Sequence, residues 1–225
     1  MKRINIILAL SIFLFASCKK DEVDTKIEPS LNLSAAPAPF TLTTGAKFYK
    51  NVSYNTFPED VFDIFIPQCA KPTGLVIQIH GGGFKAGDKA DNYSTSGFQN
   101  EVNGFLSDTI AFATLNYRLL LDVNETEGVL KSLNDCKRAL QFIRYYCKSF
   151  NIDKTKIVLK GGSAGAGTSL WIALNNDMAD NNATDPILKE STRVKAVVAN
   201  STQSTYDLLT WPTEVFSIYQ PALSL

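Results

Sequence analysis

The residues best suited to chemistry in this chain lie in two short glycine-rich runs. Gly161-Gly162-Ser163-Ala164-Gly165 has the spacing Gly-x-Ser-x-Gly, directly after an apolar run and directly before a helical pattern. A serine at such a strand-to-helix turn holds a strained backbone and projects its hydroxyl above the sheet, a placement suited to nucleophilic attack. Side chains two residues to either side would collide there, so Gly161 and Gly165 have a steric reason to be glycine. The N–H of Ala164 would lie at the helix amino terminus, where the dipole favours developing negative charge. The second run is His80-Gly81-Gly82-Gly83-Phe84. Its glycines let backbone N–H groups approach a substrate oxygen, which side chains would block. Ser163 is therefore the candidate nucleophile, and Gly82, Gly83 and Ala164 are the candidate oxyanion donors. Either run alone could be a turn serving close packing, but the pair in one chain favours the chemical reading.

The elements that would position these runs alternate between strand and helix. Val61 to Ile66 and Leu75 to Ile79 read as strands, the second ending at the glycine cluster. Thr109 to Asn116 is a third apolar run of buried-strand length. From Val129 to Phe150, Leu130, Leu133, Cys136, Leu140, Ile143 and Cys147 recur at near-helical spacing, which predicts one amphipathic helix. Lys156 to Leu159 predicts a short strand, Ser163 to Asn175 a helix and Val194 to Ala199 a last strand. Such alternation implies an α/β fold with a mostly parallel sheet flanked by helices and chemistry at the carboxyl ends of strands. In the long helix Asp135 reads as a surface or capping contact, and Cys136 and Cys147, about 16 Å apart along a continuous axis, could not bridge each other.

Together these residues resemble the α/β-hydrolase esterases and lipases, specifically the hormone-sensitive-lipase-like group and bacterial feruloyl and acetyl esterase-like proteins. The resemblance rests on His80 to Phe84, Asn116-Tyr117-Arg118-Leu119, the helix around Asp135 and Gly161 to Gly165, within residues 55 to 200. It implies that Ser163 attacks an ester, that Gly82, Gly83 and Ala164 hold the oxyanion, and that His80 and Gly81 are structural residues of their loop. Gly162 departs from the acidic residue that usually precedes the serine. The family's acid and histidine follow the serine, on loops after later strands. His80 is the one histidine of the chain and none follows Ser163. Asp177, Asp180, Asp185, Glu190, Asp207 and Glu214 come too early to be the family's triad acid. The expectation is thus an incomplete hydrolase fold of about six strands, truncated before the acid and base and inactive as it stands. Two other readings are a non-catalytic surface lipoprotein that binds a glycan or lipid, and an unusual dyad in which His80 is the base.

The amino terminus reads as a targeting segment. Lys2 and Arg3 precede the apolar run Ile4 to Phe15, and Phe15-Ala16-Ser17-Cys18 resembles a bacterial lipobox. Residues 1–17 are then a signal peptide, 18–46 a lipidated Cys18 and flexible spacer, and 47–225 the domain. Lys19-Lys20-Asp21-Glu22 resembles the tetrad that directs lipoproteins to the cell surface, so the expected location is the bacterial envelope, anchored by lipid. The chain has 225 residues, with 22 basic and 22 acidic. That formal charge of zero argues against a nucleic-acid partner, and loss of Lys2 and Arg3 with the leader would leave about −2. No metal site is expected from one histidine and widely spaced cysteines. No cofactor is expected either, because neither glycine run completes a P-loop or a dinucleotide fingerprint. The expected ligand is a small or carbohydrate-linked ester, with Trp171, Tyr206 and Trp211 as possible pocket borders. If Cys18 carries the anchor, Cys18→Ser should move the protein from the detergent phase to the aqueous phase in a phase-partition assay.

Overall fold

The computed structural model describes residues 29–121, 124–203 and 205. Cys18, Tyr206, Asp207, Trp211 and Glu214 lie outside them. Nine principal elements follow in order: β1 (Lys47–Ser53), β2 (Val61–Ile66), β3 (Thr73–Ile79), α1 (Ser96–Ser107), β4 (Ala111–Leu115), α2 (Val129–Tyr145), β5 (Ile152–Gly162), α3 (Ala164–Leu174) and β6 (Ala196–Asn200). The strands form one mixed sheet in the order β1-β2-β4-β3-β5-β6. The β3–β4, β3–β5 and β5–β6 pairs are parallel, whereas β1 and β2 run antiparallel at one side.

The sheet is covered on both faces, and the period-2 alternation of its strands decides which side chain goes where. Leu75, Ile77 and Ile79 of β3 join Ile64, Ala113 and Leu115 in a core beneath α2, together with Leu133, Leu140 and Ile143. On the other face Val76, Phe65 and Phe112 pack against Phe98, Val102 and Leu106 of α1. Thr95 caps α1, its hydroxyl accepting from the Phe98 N–H.

Several boundaries differ from those the sequence predicts. The segment after α2 is a separate 3-10 turn, Cys147–Phe150, so the expected single helix to Phe150 stops at Tyr145. β5 is far longer than Lys156 to Leu159, because its first half pairs only where Thr73 meets Ile152 and carries exposed polar residues. Residues 29–46 lack regular structure, as a spacer would, but from Leu31 on they lie against the domain. Leu31 and Leu33 join one apolar cluster, Phe40 and Leu42 the other, and the Ala36 N–H donates to the Phe48 carbonyl oxygen. Cys69, Cys136 and Cys147 form no disulfide.

Asp135 is not a surface residue. It is 2% exposed and takes a bidentate hydrogen-bonded pair from Arg118, Nε to Oδ2 at 2.8 Å and Nη2 to Oδ1 at 2.7 Å. The pair fastens the segment after β4 to α2, and the Arg118 guanidinium also lies 4.1 Å from the Phe57 ring centre. Close to it, fully buried Asp60 accepts from the Tyr54 hydroxyl at 3.2 Å, while its Oδ2 has no hydrogen-bond partner among the described residues. Burial, reinforced by the Asp135 charge, pushes the Asp60 pKa up to about 6.

A carboxyl whose folded pKa lies above its ordinary value binds protons more tightly folded than unfolded. Its contribution to stability is complete below about pH 4 and is lost as pH rises through 6. The difference amounts to about 2–3 kcal/mol. Asp60→Asn should therefore gain stability relative to the parent as pH rises from 4 to 7.5, measured as the difference between their urea midpoints at each pH. An unchanged difference would contradict the assignment.

Candidate active site

The register of the sheet brings three loop starts to one edge. Ile79 pairs with Gly161, and Gly162 with Asn200, so the chain leaves β3, β5 and β6 at neighbouring positions. Ser163 is the single residue between β5 and α3, with φ 51° and ψ −121°, a conformation that L residues rarely adopt. A serine directly before a helix ordinarily caps it by accepting a hydrogen bond from the first turn. Ser163 makes no such side-chain cap, and its N–H donates instead to the Asn200 carbonyl oxygen at 2.9 Å. The backbone thus points the hydroxyl away from the job its position would normally give it.

The glycines on either side are required by backbone contact. A methyl on Gly161 would lie 2.6 Å from Ala166 N, and one on Gly165 would lie 2.7 Å from the Ile79 carbonyl carbon. Gly81 approaches the turn from the other loop, where a Cβ would stand 2.9 Å from Gly162 O and 3.3 Å from Ser163 Cβ. The two glycine-rich runs therefore touch each other. Gly82 and Gly83, at φ 100° and 61°, lie next in that loop, and neither N–H has a hydrogen-bond partner among the described residues.

The loop is held from below. Tyr117 donates to the His80 carbonyl oxygen at 2.9 Å, and its ring stacks on His80 with centroids 4.3 Å apart. The His80 Nδ1–H donates to the Gly81 carbonyl oxygen at 2.7 Å. Burial lowers the His80 pKa, opposed by the Gly81 carbonyl and the charges of Asp88 and Asp91, which favours a neutral ring. Farther along, Asn116 accepts from the Lys89 N–H at 2.6 Å and donates to Asp88 at 2.7 Å. Lys89 also pairs at 3.2 Å with buried Asp63, which accepts from Tyr93 at 2.8 Å. The Asn116-Tyr117-Arg118 run thus does three separate structural jobs.

The acids after Ser163 that the structure describes are engaged elsewhere. Asp177 accepts from Ser191 and Thr192, Asp185 pairs with Arg138 at 2.7 Å and Glu190 with Lys154 at 3.1 Å. Asp180 accepts from the Asn182 N–H. Among the described residues the side chain within hydrogen-bond distance of Ser163 Oγ is Gln203, at 3.4 Å. Sequence reasoning missed Gln203, since an amide in a polar stretch carries no motif. Trp171 borders a cleft of about 390 Å³ that Gln203 also lines.

Residues 62–220 match the BD-FAE family. The chain belongs to this α/β-hydrolase esterase family. No curated protein matches it. Solved structures do. Thermogutta terrifontis esterase 2 phosphorylated by paraoxon aligns at TM-score 0.53 and 20% identity, over 71% of this chain and 58% of that one. The acetyl ester-xyloside bifunctional hydrolase from Caldicellulosiruptor lactoaceticus aligns at TM-score 0.51 and 26% identity, over 64% of this chain and 49% of that one. The chain spans only about half to three-fifths of the length of these structures. The α/β-hydrolase fold is therefore present as the sequence resemblance implied, with six strands among the described residues.

If backbone contact dictates the glycines, Gly165→Ala should lower stability by about 3 kcal/mol. Gly162→Ala should be tolerated, because among the described residues its methyl would meet nothing nearer than Asn200 O at 4.0 Å. Equal urea midpoints for the two variants would contradict this reading.

Proposed function

We propose that Ser163 is the nucleophile of a carboxylic ester hydrolase acting on small or carbohydrate-linked acyl esters. The observation that carries the reading is a non-glycine residue at φ 51° whose hydroxyl is withheld from capping the helix it precedes. Serine Oγ attacks the ester carbonyl carbon, the oxyanion forms, and the C–O bond to the alcohol breaks as the alcohol leaves with a proton. Water then attacks the acyl-serine and releases the acid. The N–H groups of Gly82, Gly83 and Ala164 are the donors for the oxyanion, the last aided by the α3 dipole. His80 is assigned to holding its loop, because its ring is stacked on Tyr117 and its Nδ1–H is committed to Gly81. The proton acceptor for Ser163 is assigned to neither His80 nor the acids described here.

Family membership supports the reaction class, and the similarity to an esterase and an acetyl ester hydrolase supports esters as substrates. We further propose that Cys18 is lipidated and tethers the domain to the bacterial envelope without a metal, cofactor or nucleic-acid partner. The engagement of the one histidine favours a second reading for this chain taken alone: a surface lipoprotein that binds a glycan or lipid without turnover.

An alkyl fluorophosphonate reacts only with an activated serine, so it separates the two. Native membranes should yield a labelled band carrying this domain, and Ser163→Ala should abolish the label. Labelling that survives Ser163→Ala would overturn the assignment. An unlabelled protein that binds glycan saturably would put the second reading in its place.

A further inference from the structure

Gln203 follows β6 by three residues and reaches across to the turn between β5 and α3. One orientation of its amide satisfies both of its neighbours. The nitrogen then donates to the Ser163 carbonyl oxygen at 3.1 Å, and the oxygen accepts from the Ala164 N–H at 3.2 Å. The amide atom that faces Ala164 is also 3.4 Å from Ser163 Oγ. The opposite orientation would set the amide NH2 against the Ala164 N–H, two donors with nothing between them.

An sp² oxygen that accepts from the Ala164 N–H beside the serine hydroxyl has the position and chemistry of an ester carbonyl oxygen about to be attacked. We infer that Gln203 is an internal occupant of the carbonyl-oxygen position, which any acyl ligand must displace to reach Ser163. This deepens the esterase reading above and rests on it. Gly82 and Gly83, whose N–H groups have no partner among the described residues, are not engaged by the amide, so only part of the donor set is held. The occupant is matched to its place in shape and polarity yet carries no charge. A ligand with a carbonyl or carboxylate oxygen can replace its hydrogen bonds, whereas an apolar ligand would leave the Ala164 N–H unsatisfied. Gln203 therefore selects for acyl oxygen and keeps the donor paired while the site is empty.

Backbone amide NMR on the full chain tests this with acetate as the probe. Gln203→Ala and Gln203→Met should both shift the Ala164 amide signal in the absence of ligand. Acetate should bind both variants about three- to tenfold more tightly than the parent, since it no longer competes with the side chain. Methionine keeps the bulk, so tighter binding only in Gln203→Ala would identify steric blockage and overturn the carbonyl mimicry. Equal acetate affinity in all three chains, with the Ala164 signal responding, would overturn the occupant while leaving the acyl-oxygen site intact. If acetate moved the Ala164 signal in none of them, the acyl-oxygen reading itself would fail and the occupant with it. Retained dispersion of the other amide signals shows that each variant is folded.

Discussion

The arrangement at the sheet edge depends on one constraint: three stretches of bare backbone approach closer than any side chain permits. Gly165 lies against the end of β3, Gly161 against the first turn of α3, and Gly81 against Gly162 and Ser163. These contacts make the distance between the two loops a property of the backbone rather than of adjustable side chains. They also impose the unusual conformation of Ser163, because β5 must turn into α3 within one residue. The strain of that residue is offset by the cores on both faces of the sheet, which fix the two elements that it joins.

Around this edge, buried charge does the fastening that apolar packing cannot. Asp63 with Lys89 and Tyr93 draws the segment after the glycine loop onto β2, and Asp135 with Arg118 draws the segment after β4 onto α2. Each acid is desolvated, and each is matched by a cation or hydroxyl with good geometry, the condition under which such pairs hold their partners in one place. Asp60 is the exception. An oxygen with no hydrogen-bond partner among the described residues and a raised pKa mark where the network remains under electrostatic tension.

The glycine runs, the strands that deliver them and the class of fold were legible because each rests on local steric rules. The spacing at Gly161 and Gly165 states a collision that the structure contains, and the apolar runs at Leu75 and Thr109 lie where buried strands form. β1 and α1 were not legible as elements, since Lys47 to Ser53 alternates weakly and Ser96 to Ser107 is largely polar. Asp135 misled because a lone acid in a helical pattern looks solvated until its partner is known, and Arg118 is 17 residues distant. Gln203 was invisible for a related reason: its significance lies in where β6 delivers it, not in its type. Residues 29–46 looked like a spacer because proline, serine, threonine and alanine dominate, yet a few well-placed apolar side chains are enough to bind such a stretch to a surface.

That last segment changes how the domain would carry a load. Leu31 and Leu33 join the cluster on one face of the sheet, while Phe40 and Leu42 join that on the other, and between them Ala36 is bonded to Phe48 of the edge strand β1. The chain therefore wraps the rim of the sheet like a strap. A pull on this segment from its amino-terminal side would meet the strap first, where the Leu31 N–H donates to Ser149 Oγ at 2.9 Å just before β5 and Leu31 and Leu33 pack against the core. The load would fall on the strap and beside the start of β5, at the end of that strand opposite Ser163, so the spacing around the serine would be disturbed only after the strap had peeled away.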